Sequence, residues 1–353
     1  MPKNKATAPC PLHGTLYSLI FAAMLIIKNG LTDPYFNLAA EEYLLKTFDD
    51  DIFTLWRNEN AIIVGKHQNT LAEINLDYVQ ANGVKVVRRL SGGGAVFHDL
   101  GNLNFTFISN ALNRDEIKID FKHYTIPIIE VLQTLGVNAE FSGRNDLLID
   151  GMKFSGNAEH IYHQKKRTLH HGTLLFTSQI ADLSAALKVN PLKFQDKAVK
   201  SVRSRVTNIS SHLAEPLSVS DFYTLIIEHM ANRYDDVRFY EYSPEDIAAI
   251  NALADEKYRS WEWNFGYSPK YTFQKMIRTE GGSIEVYLQV EKGIIAEARF
   301  HGDFFNIEDI SEIETALKSC KHHHADIEAV LSQFDVPRYF NNTSRAELLS
   351  GMF

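Results

Sequence analysis

Cysteine is almost missing from these 353 residues: Cys10 and Cys320 are the only two. They can form one disulfide at most, which excludes a disulfide-stapled scaffold and makes a reducing cytoplasm the expected setting. The triplet His322-His323-His324 lacks the paired cysteines or spaced acidic ligands that would complete a zinc site. A basic excess is missing too. The 36 Lys and Arg stand against 44 Asp and Glu, for a formal charge of −8, the reverse of a general nucleic-acid binder. An apolar run at Leu16–Ile27 falls short of the roughly 20 residues that a membrane helix needs. It follows Lys3 and Lys5 as a signal-peptide core would, yet no small-x-small cleavage site accompanies it. Two glycine signatures are absent as well. No Lys-Ser or Lys-Thr follows the glycines at 92–94, as a phosphate loop of the G-x-x-x-x-G-K-[ST] type requires, and no G-x-G-x-x-G opens a helix there.

What is present is an ordinary globular composition, 45% hydrophobic and 23% charged, in a chain long enough for two domains. Its most informative stretch is VVRRLSGGGAVFHD, Val86–Asp99. Val84–Val87 reads as a strand, Ala95–Phe97 as a second one, and Arg88, Arg89, Ser91 and three glycines lie between them. Glycines at a strand end let backbone N–H groups approach a ligand closely and cradle an anion. An adjacent arginine adds a fork suited to phosphate or carboxylate. Two readings stay open on these residues: a phosphate-handling loop, or a glycine-rich turn with both arginines solvated.

Elsewhere the patterning is conventional. Asp33 and Pro34 are an N-cap and first helical residue, and Phe36, Ala39, Ala40, Tyr43 and Leu44 make one apolar stripe. Glu41 and Glu42 fall off that stripe and are expected to be solvated, as is Lys66 in the polar loop 65–69. Leu25–Ile27, Ile52–Trp56, Ala61–Val64, Asn104–Ile108 and Val137–Phe141 read as strands, and His123–Leu135 as a helix stopped by Gly136. Asp150-Gly151 suits a tight hairpin turn, which places Lys153 on a rigid strand beside it. Asn145 and Asp146 precede that hairpin. Asp146 is either a turn residue or a carboxylate that holds Mg²⁺ together with phosphate oxygens. His170 and His171, adjacent on a strand, face opposite ways and cannot readily share a metal. Lys197, Lys200, Arg203 and Arg205 form a basic stretch, read as a solvated face or as a lid or docking segment. Helices are expected at Ser220–Tyr234 and Pro244–Tyr258. After a linker at Gly266–Pro269, three strands (Lys270–Arg278, Ser283–Val290, Ile294–Phe300) and two helices (Glu308–Lys318, Asp326–Phe334) make a small α+β unit.

Val86–Asp99 resembles the R-R-x-S-G-G-G-A-V-F-H-D signature of lipoate–protein ligases. DPYFNLAAEEYLL (Asp33–Leu45), GRNDLLIDGMKFSGNAEH (Gly143–His160), HHGTLLF (His170–Phe176), SVRSRVTNIS (Ser201–Ser210) and WEWNFG (Trp261–Gly266) match the same family in order. The resemblance implies an α+β fold: a mixed-sheet catalytic domain of the biotin/lipoate ligase, class II synthetase-like, type over residues 24–266. A small α+β accessory domain would follow over 267–353, and residues 1–23 would be an extension. It implies ATP, Mg²⁺ and lipoic acid as cofactors and substrate. Lys153 and Arg89 would be catalytic. Arg89, Gly93, Gly94, Ala95, Val96, Phe97, Asn145 and Lys153 would bind the nucleotide, and Asp146 the metal. The acceptors implied are lipoyl domains of 2-oxo acid dehydrogenase E2 subunits and the glycine cleavage H protein, served by a cytoplasmic monomer that binds neither nucleic acid nor membrane. Octanoyltransferases of similar fold use a cysteine nucleophile, and neither Cys10 nor Cys320 is well placed for one. A lipoyltransferase that accepts a preformed lipoyl-adenylate, and a binding protein without turnover, are the alternatives. The basic glycine-rich pattern of biotin ligases is absent.

Overall fold

A computed structural model of the chain describes residues 24–110, 120–142, 145–187, 194–195, 206–302, 304 and 306–353. Residues 1–23 with Cys10, and the basic residues Lys197, Lys200, Arg203 and Arg205, lie outside the described residues. The strands are β1 Met24–Lys28, β2 Asp51–Trp56, β3 Ala61–Val64, β4 Lys85–Arg88, β5 Val96–His98, β6 Asn102–Asn110, β7 Ala139–Ser142, β8 Asp146–Ile149, β9 Met152–Tyr162, β10 Arg167–Leu175, β11 Phe194–Gln195, β12 Val237–Glu241, β13 Tyr271–Thr279, β14 Gly282–Glu291 and β15 Ile294–Gly302. Eight of them make one sheet in the order β12-β1-β2-β6-β10-β9-β8-β7. It is mixed: β1 runs parallel to β2 and β12, while β6, β9 and β10 pair antiparallel. A second, three-stranded sheet has the order β4-β3-β5. It carries the arginine and glycine stretch.

Hydrophobic periodicity explains how the layers close. The helix Phe121–Thr134 contributes Ile128, Val131 and Leu132 to one core, and the helix Val219–Arg233 contributes Phe222, Ile226 and Met230. Both sets meet Phe53, Phe105 and Phe154 of the large sheet, and each such burial stabilises the fold by roughly 1.5–3 kcal/mol. The hairpin turn is as expected, with Asp150 at φ 51° and Gly151 at φ 75°, the two positive angles of a tight turn.

The helix Pro34–Thr47 is capped by Asp33 but is not amphipathic in the simple sense. Leu44 and Leu45 pack on the large sheet with Leu25, Ile27 and Ile108. Phe36, Ala39 and Ala40 pack with Ala61, Ile63 and Val87 of the small one. Wedged between two sheets, it keeps almost no solvent face, so Glu41 and Glu42 are 4% and 3% exposed rather than solvated. A second stripe through Leu38, Glu41, Glu42 and Leu45 has helical spacing and was the available signal. Glu42 accepts from Lys46 (2.6 Å), Lys257 (2.7 Å) and the Tyr258 hydroxyl (2.6 Å). Burial alone would raise its pKa; those three bonds together bring it below the usual carboxylate range.

The C-terminal unit has its own core, running from Tyr271 to Met352. Its sheet is completed by β11, a strand from the first part of the chain that pairs with β13. The expected linker is also something else. Asn264 and Ser268 are buried, and Arg88 explains why. Its guanidinium donates to the carbonyls of Gly65 (3.0 Å), Lys66 (3.0 Å), Gln68 (2.8 Å), Trp263 (2.9 Å) and Asn264 (3.0 Å), and to the hydroxyls of Thr70 (2.7 Å) and Ser268 (3.1 Å). Arg88 is therefore fully buried, not solvated, and it fastens residues 263–268 to the end of β4. No helix among the described residues is long and apolar enough to cross a membrane. Replacing Arg88 by Met would strand several buried carbonyls. The expected loss is roughly 3 kcal/mol or more of unfolding free energy, and a urea titration showing less than about 1 kcal/mol would refute the clamp.

Candidate active site

Planar peptides decide what the glycine loop offers. Arg89, 6% exposed, points its guanidinium back into its own loop. Nη2 donates to the carbonyls of Gly92 and Gly94 (2.6 and 2.8 Å), Nη1 to that of Ile63 (3.1 Å), and Nε to Ser91 Oγ (3.0 Å). In a trans peptide the carbonyl of one residue and the amide of the next point in opposite directions. With the Gly92 and Gly94 carbonyls drawn toward Arg89, the amides of Gly93 and Ala95 point away from it. Neither amide makes a hydrogen bond among the described residues. Gly93 has φ +91°, and a Cβ there would lie 3.0 Å from Arg89 Nη2, so the turn depends on glycine. Burial lowers the Arg89 pKa to about 10, opposed by the negative charge of Glu41. The residue stays charged at neutral pH.

These amides border a cavity of about 360 Å³ between the two sheets, large enough for a small-molecule ligand. Arg89, Gly93, Gly94, Ala95, Val96, Asn145, Asp146 and Lys153 all line it. Phe97, the remaining residue of the expected set, is 3% exposed and packs in the small sheet's core with Ile62 and Val86. Alternation along β5 accounts for this, since Val96 and Phe97 must face opposite ways.

Lys153 Nζ lies 2.7 Å from Asp146 Oδ1. A Cβ on Gly156 would sit 3.0 Å from that Nζ, so Gly156 leaves room for the lysine rather than for a ligand. The backbone of Lys153 is also fixed from the other side: its carbonyl accepts from Thr207 N–H (2.9 Å) and it bridges to Val206. Asn145 spends its Nδ2 on the Asn157 carbonyl (2.6 Å). Asn157 donates from Nδ2 to the Asn145 carbonyl (3.1 Å) and leaves its buried Oδ1 without a hydrogen bond.

Other lining residues were not singled out by sequence: Leu38, Trp56, Ile63, His98, Asn104 and Asn157. They come from separate elements; Leu38, His98 and Asn157 lie within the motif blocks, which was the available signal, and Trp56, Ile63 and Asn104 carry none. His98 can nonetheless be assigned chemically. Asn37 Nδ2 faces the carbonyls of Leu31 and Arg57, which only accept, so Asn58 must turn Oδ1 toward Asn37 and Nδ2 toward His98 Nδ1 (3.1 Å). The His98 proton is then on Nε2, which is buried and without a partner. Burial, aided by Arg89, lowers its pKa to about 3, and the ring stays neutral.

With this geometry in view, comparison with known proteins is informative. The description "Lipoyl protein ligase A/B catalytic domain" fits residues 33–231, and "Bacterial lipoate protein ligase C-terminus" fits residues 268–352. Lipoate–protein ligase 1 of Staphylococcus aureus is 42% identical over 326 residues, 92% of this chain and 98% of that protein. Lipoate-protein ligase LplJ of Bacillus subtilis is 43% identical over 331 residues, 92% and 99% of the two chains. Among solved structures, the bi-partite lipoate protein ligase of Thermoplasma acidophilum, studied with its E2 lipoyl domain, superposes with a TM-score of 0.58 at 29% identity, covering 70% of this chain and 97% of that one. A putative lipoate protein ligase from the same organism with bound lipoic acid gives 0.57 at 25%, and a lipoate-protein ligase A bound with ATP gives 0.57 at 26%. Each of these two covers 70% of this chain and all of the other.

The two adjacent histidines part as their strand geometry requires. His171 lines the cavity. His170 faces the opposite side of β10, where Nδ1 lies 3.0 Å from Glu159 Oε1 with both side chains fully buried. Glu159 Oε2 also accepts from the Asp120 N–H (3.1 Å), ahead of the helix Phe121–Thr134. Burial holds His170 well below the ordinary histidine value and pushes the Glu159 carboxyl up to about 7. A folded pKa above the unfolded 4.5 contributes stability that is full below pH 4.5 and lost as pH rises through 7. The wild type should therefore lose stability across that window relative to Glu159→Gln. Denaturant titrations of both proteins from pH 4.5 to 7.5 check this, and parallel profiles would refute it.

Proposed function

The chain belongs to the lipoate–protein ligase family, and from that premise we propose that it joins lipoate to lipoyl-domain lysines at the expense of ATP. The observation that carries the reading is one cavity lined both by Lys153 and by the glycine-loop residues Gly93, Gly94 and Ala95. In the first half-reaction a lipoate carboxylate oxygen attacks the α-phosphorus of ATP, forming lipoyl-adenylate and releasing pyrophosphate. In the second, the ε-amine of an acceptor lysine attacks the acyl carbon, loses a proton, and AMP departs. The first step brings two anions together. Lys153 and the amides of Gly93 and Ala95 offset that repulsion and stabilise the charge that develops on the phosphate oxygens. Confinement of both reactants supplies the proximity contribution.

Arg89 acts here in a way its motif does not advertise. Three of its contacts are spent on the loop and a fourth on Ile63 of β3, so it sets the amides and lends the cavity its positive charge. Gly94, Val96 and Asn145 complete the nucleotide-binding wall; Phe97 supports it from behind through the backbone of β5. The apolar side, formed by Leu38, Trp56 and Ile63, suits an aliphatic acyl chain. Among the described residues Asp146 is the one carboxylate that lines the cavity, and Asn157, which lines it too, has a buried Oδ1 with no hydrogen bond. That donor set fits Mg²⁺ of the kind held by one carboxylate together with phosphates and waters. Asp146 would hold the ion, which supplies charge neutralisation to the phosphates.

A cysteine-dependent transferase is not supported by the described residues. Cys320 sits against the C-terminal core, and burial pushes its thiol up to about 11. We place the domain division at 266/267, between the two matched regions, with residues 1–23 as an extension. Lipoyl domains of 2-oxo acid dehydrogenase E2 subunits and the glycine cleavage H protein are the acceptors we propose, with the enzyme a cytoplasmic monomer.

The test is mass spectrometry of an apo lipoyl domain incubated with the protein, lipoate, ATP and Mg²⁺. A lipoyl mass gain that requires ATP is expected. Gain only from synthetic lipoyl-adenylate would make the protein a transferase instead. Lys153→Ala should abolish adenylate formation and shift the melting temperature little, because a partly exposed strand lysine adds little stability; retained lipoylation would overturn its role. Gly93→Val should weaken ATP binding by about tenfold or more through lost amide donors and a strained positive φ. Unchanged ATP affinity in calorimetry would refute the loop assignment.

A further inference from the structure

We propose that Ser91 and His171 are positioning residues which, anchored by Glu41, set the Arg89 guanidinium and through it the direction of the glycine-loop amides. The inference rests on the ligase reading above and adds three residues to it. Arginine only donates, so Arg89 Nε–H donates to Ser91 Oγ at 3.0 Å. The Ser91 hydroxyl proton then goes to His171 Nε2 at 2.5 Å, and His171 Nδ1–H donates to Glu41 Oε1 and Oε2 at 2.9 and 3.0 Å. Thr106 Oγ donates to Glu41 Oε1 at 2.6 Å and itself accepts from Trp56 Nε1 at 2.9 Å. Every bond from Arg89 to Glu41 runs the same way, from cation to carboxylate.

Head-to-tail chains of this kind polarise one another in a low-dielectric interior. Glu41, Arg89, Ser91 and His171 are all less than a tenth exposed, so water competes little. The chain gives Arg89 a counter-charge without contact, consistent with Glu41 being the group that opposes the effect of its burial. Neither Glu41 nor Ser91 lines the cavity; both act through others. Apolar side chains would fill the same volume without desolvating a carboxylate. They would not fix the rotation of the guanidinium about its Nε, on which the grip of Nη2 on two carbonyls depends.

The consequence is unequal for the two half-reactions. Adenylation joins a carboxylate to a triphosphate and needs the amides most. Acyl transfer joins an amine to an acyl carbon whose phosphate already carries its charge. The experiment measures pyrophosphate release with lipoate and ATP, and separately transfer from supplied lipoyl-adenylate to an apo lipoyl domain, in Ser91→Ala and Glu41→Gln. Ser91→Ala should lower kcat for adenylation by about tenfold to a hundredfold, by analogy with the loss of an outer-shell hydrogen bond to a metal ligand, while transfer falls at least about tenfold less. Glu41→Gln, which keeps its shape and can still accept from His171, should show the same split to a smaller degree. It carries the test if Ser91→Ala fails to fold. Equal losses in both half-reactions, or no loss in either, would overturn the proposal. If the wild type itself releases no pyrophosphate, the ligase reading fails instead. The chain is then judged by proton NMR: the His171 Nδ1–H resonance, assigned by its absence in His171→Gln, should move upfield in Glu41→Gln, and an unmoved resonance would overturn it.

Discussion

Arg89 is buried with no carboxylate in contact among the described residues, and protein oxygens alone hold its guanidinium. The cavity depends on that arrangement. Because a peptide is planar, drawing two carbonyls to one side sends the following amides to the other. A cation thereby converts glycine backbone into a pair of free donors. The positive potential of the wall is thus partly the arginine's own charge and partly the dipoles it has oriented, and both are fixed before any ligand arrives. Preorganised donors of this sort need no reorganisation when charge develops.

Its neighbour does the opposite task. Arg88 closes β4 and turns away from the cavity, collecting carbonyls from residues 65–68 and from 263–264. One arginine orders the loop that lines the cavity, and its neighbour ties that loop's strand to the segment leading into the C-terminal unit. The C-terminal sheet returns the connection by accepting β11. The two parts of the chain are therefore joined at two places, through Arg88 and through β11.

Buried carboxylates complete the electrostatics. The helix Pro34–Thr47 serves two sheets at once and has no face left for water, yet it carries two adjacent glutamates. Each is satisfied differently: Glu42 by two lysines and a tyrosine, Glu41 by a threonine and a histidine. Leaving either carboxylate unpaired at such burial would cost several kcal/mol, on the order of the whole stability of a domain. The helix is held in register by these partners as much as by its apolar packing.

Local chemistry was readable in one dimension. The strands around the glycines, the N-cap at Asp33, the Asp150-Gly151 turn, the opposed faces of His170 and His171, and the three C-terminal strands all follow from spacing and residue type. So does the family, whose motif blocks recur in order. What the sequence could not supply is partnership between distant residues. Glu41 and Glu42 read as solvated because an apolar stripe says which face is buried against one neighbour and nothing about a second. Phe97 reads as part of the binding wall because a motif names residues without saying which way they alternate. Arg89 reads as a ligand contact because a guanidinium beside glycines suits an anion, and only the tertiary structure shows that the loop's own carbonyls occupy it first. Hydrogen-bond donors are short-ranged and are claimed by whatever acceptor lies nearest in space, 80 or 130 residues away in the cases of Ser91 with His171 and His171 with Glu41. The sequence by itself determined which groups are present and what each is able to do; the packing of two sheets around one helix decided which of them meet.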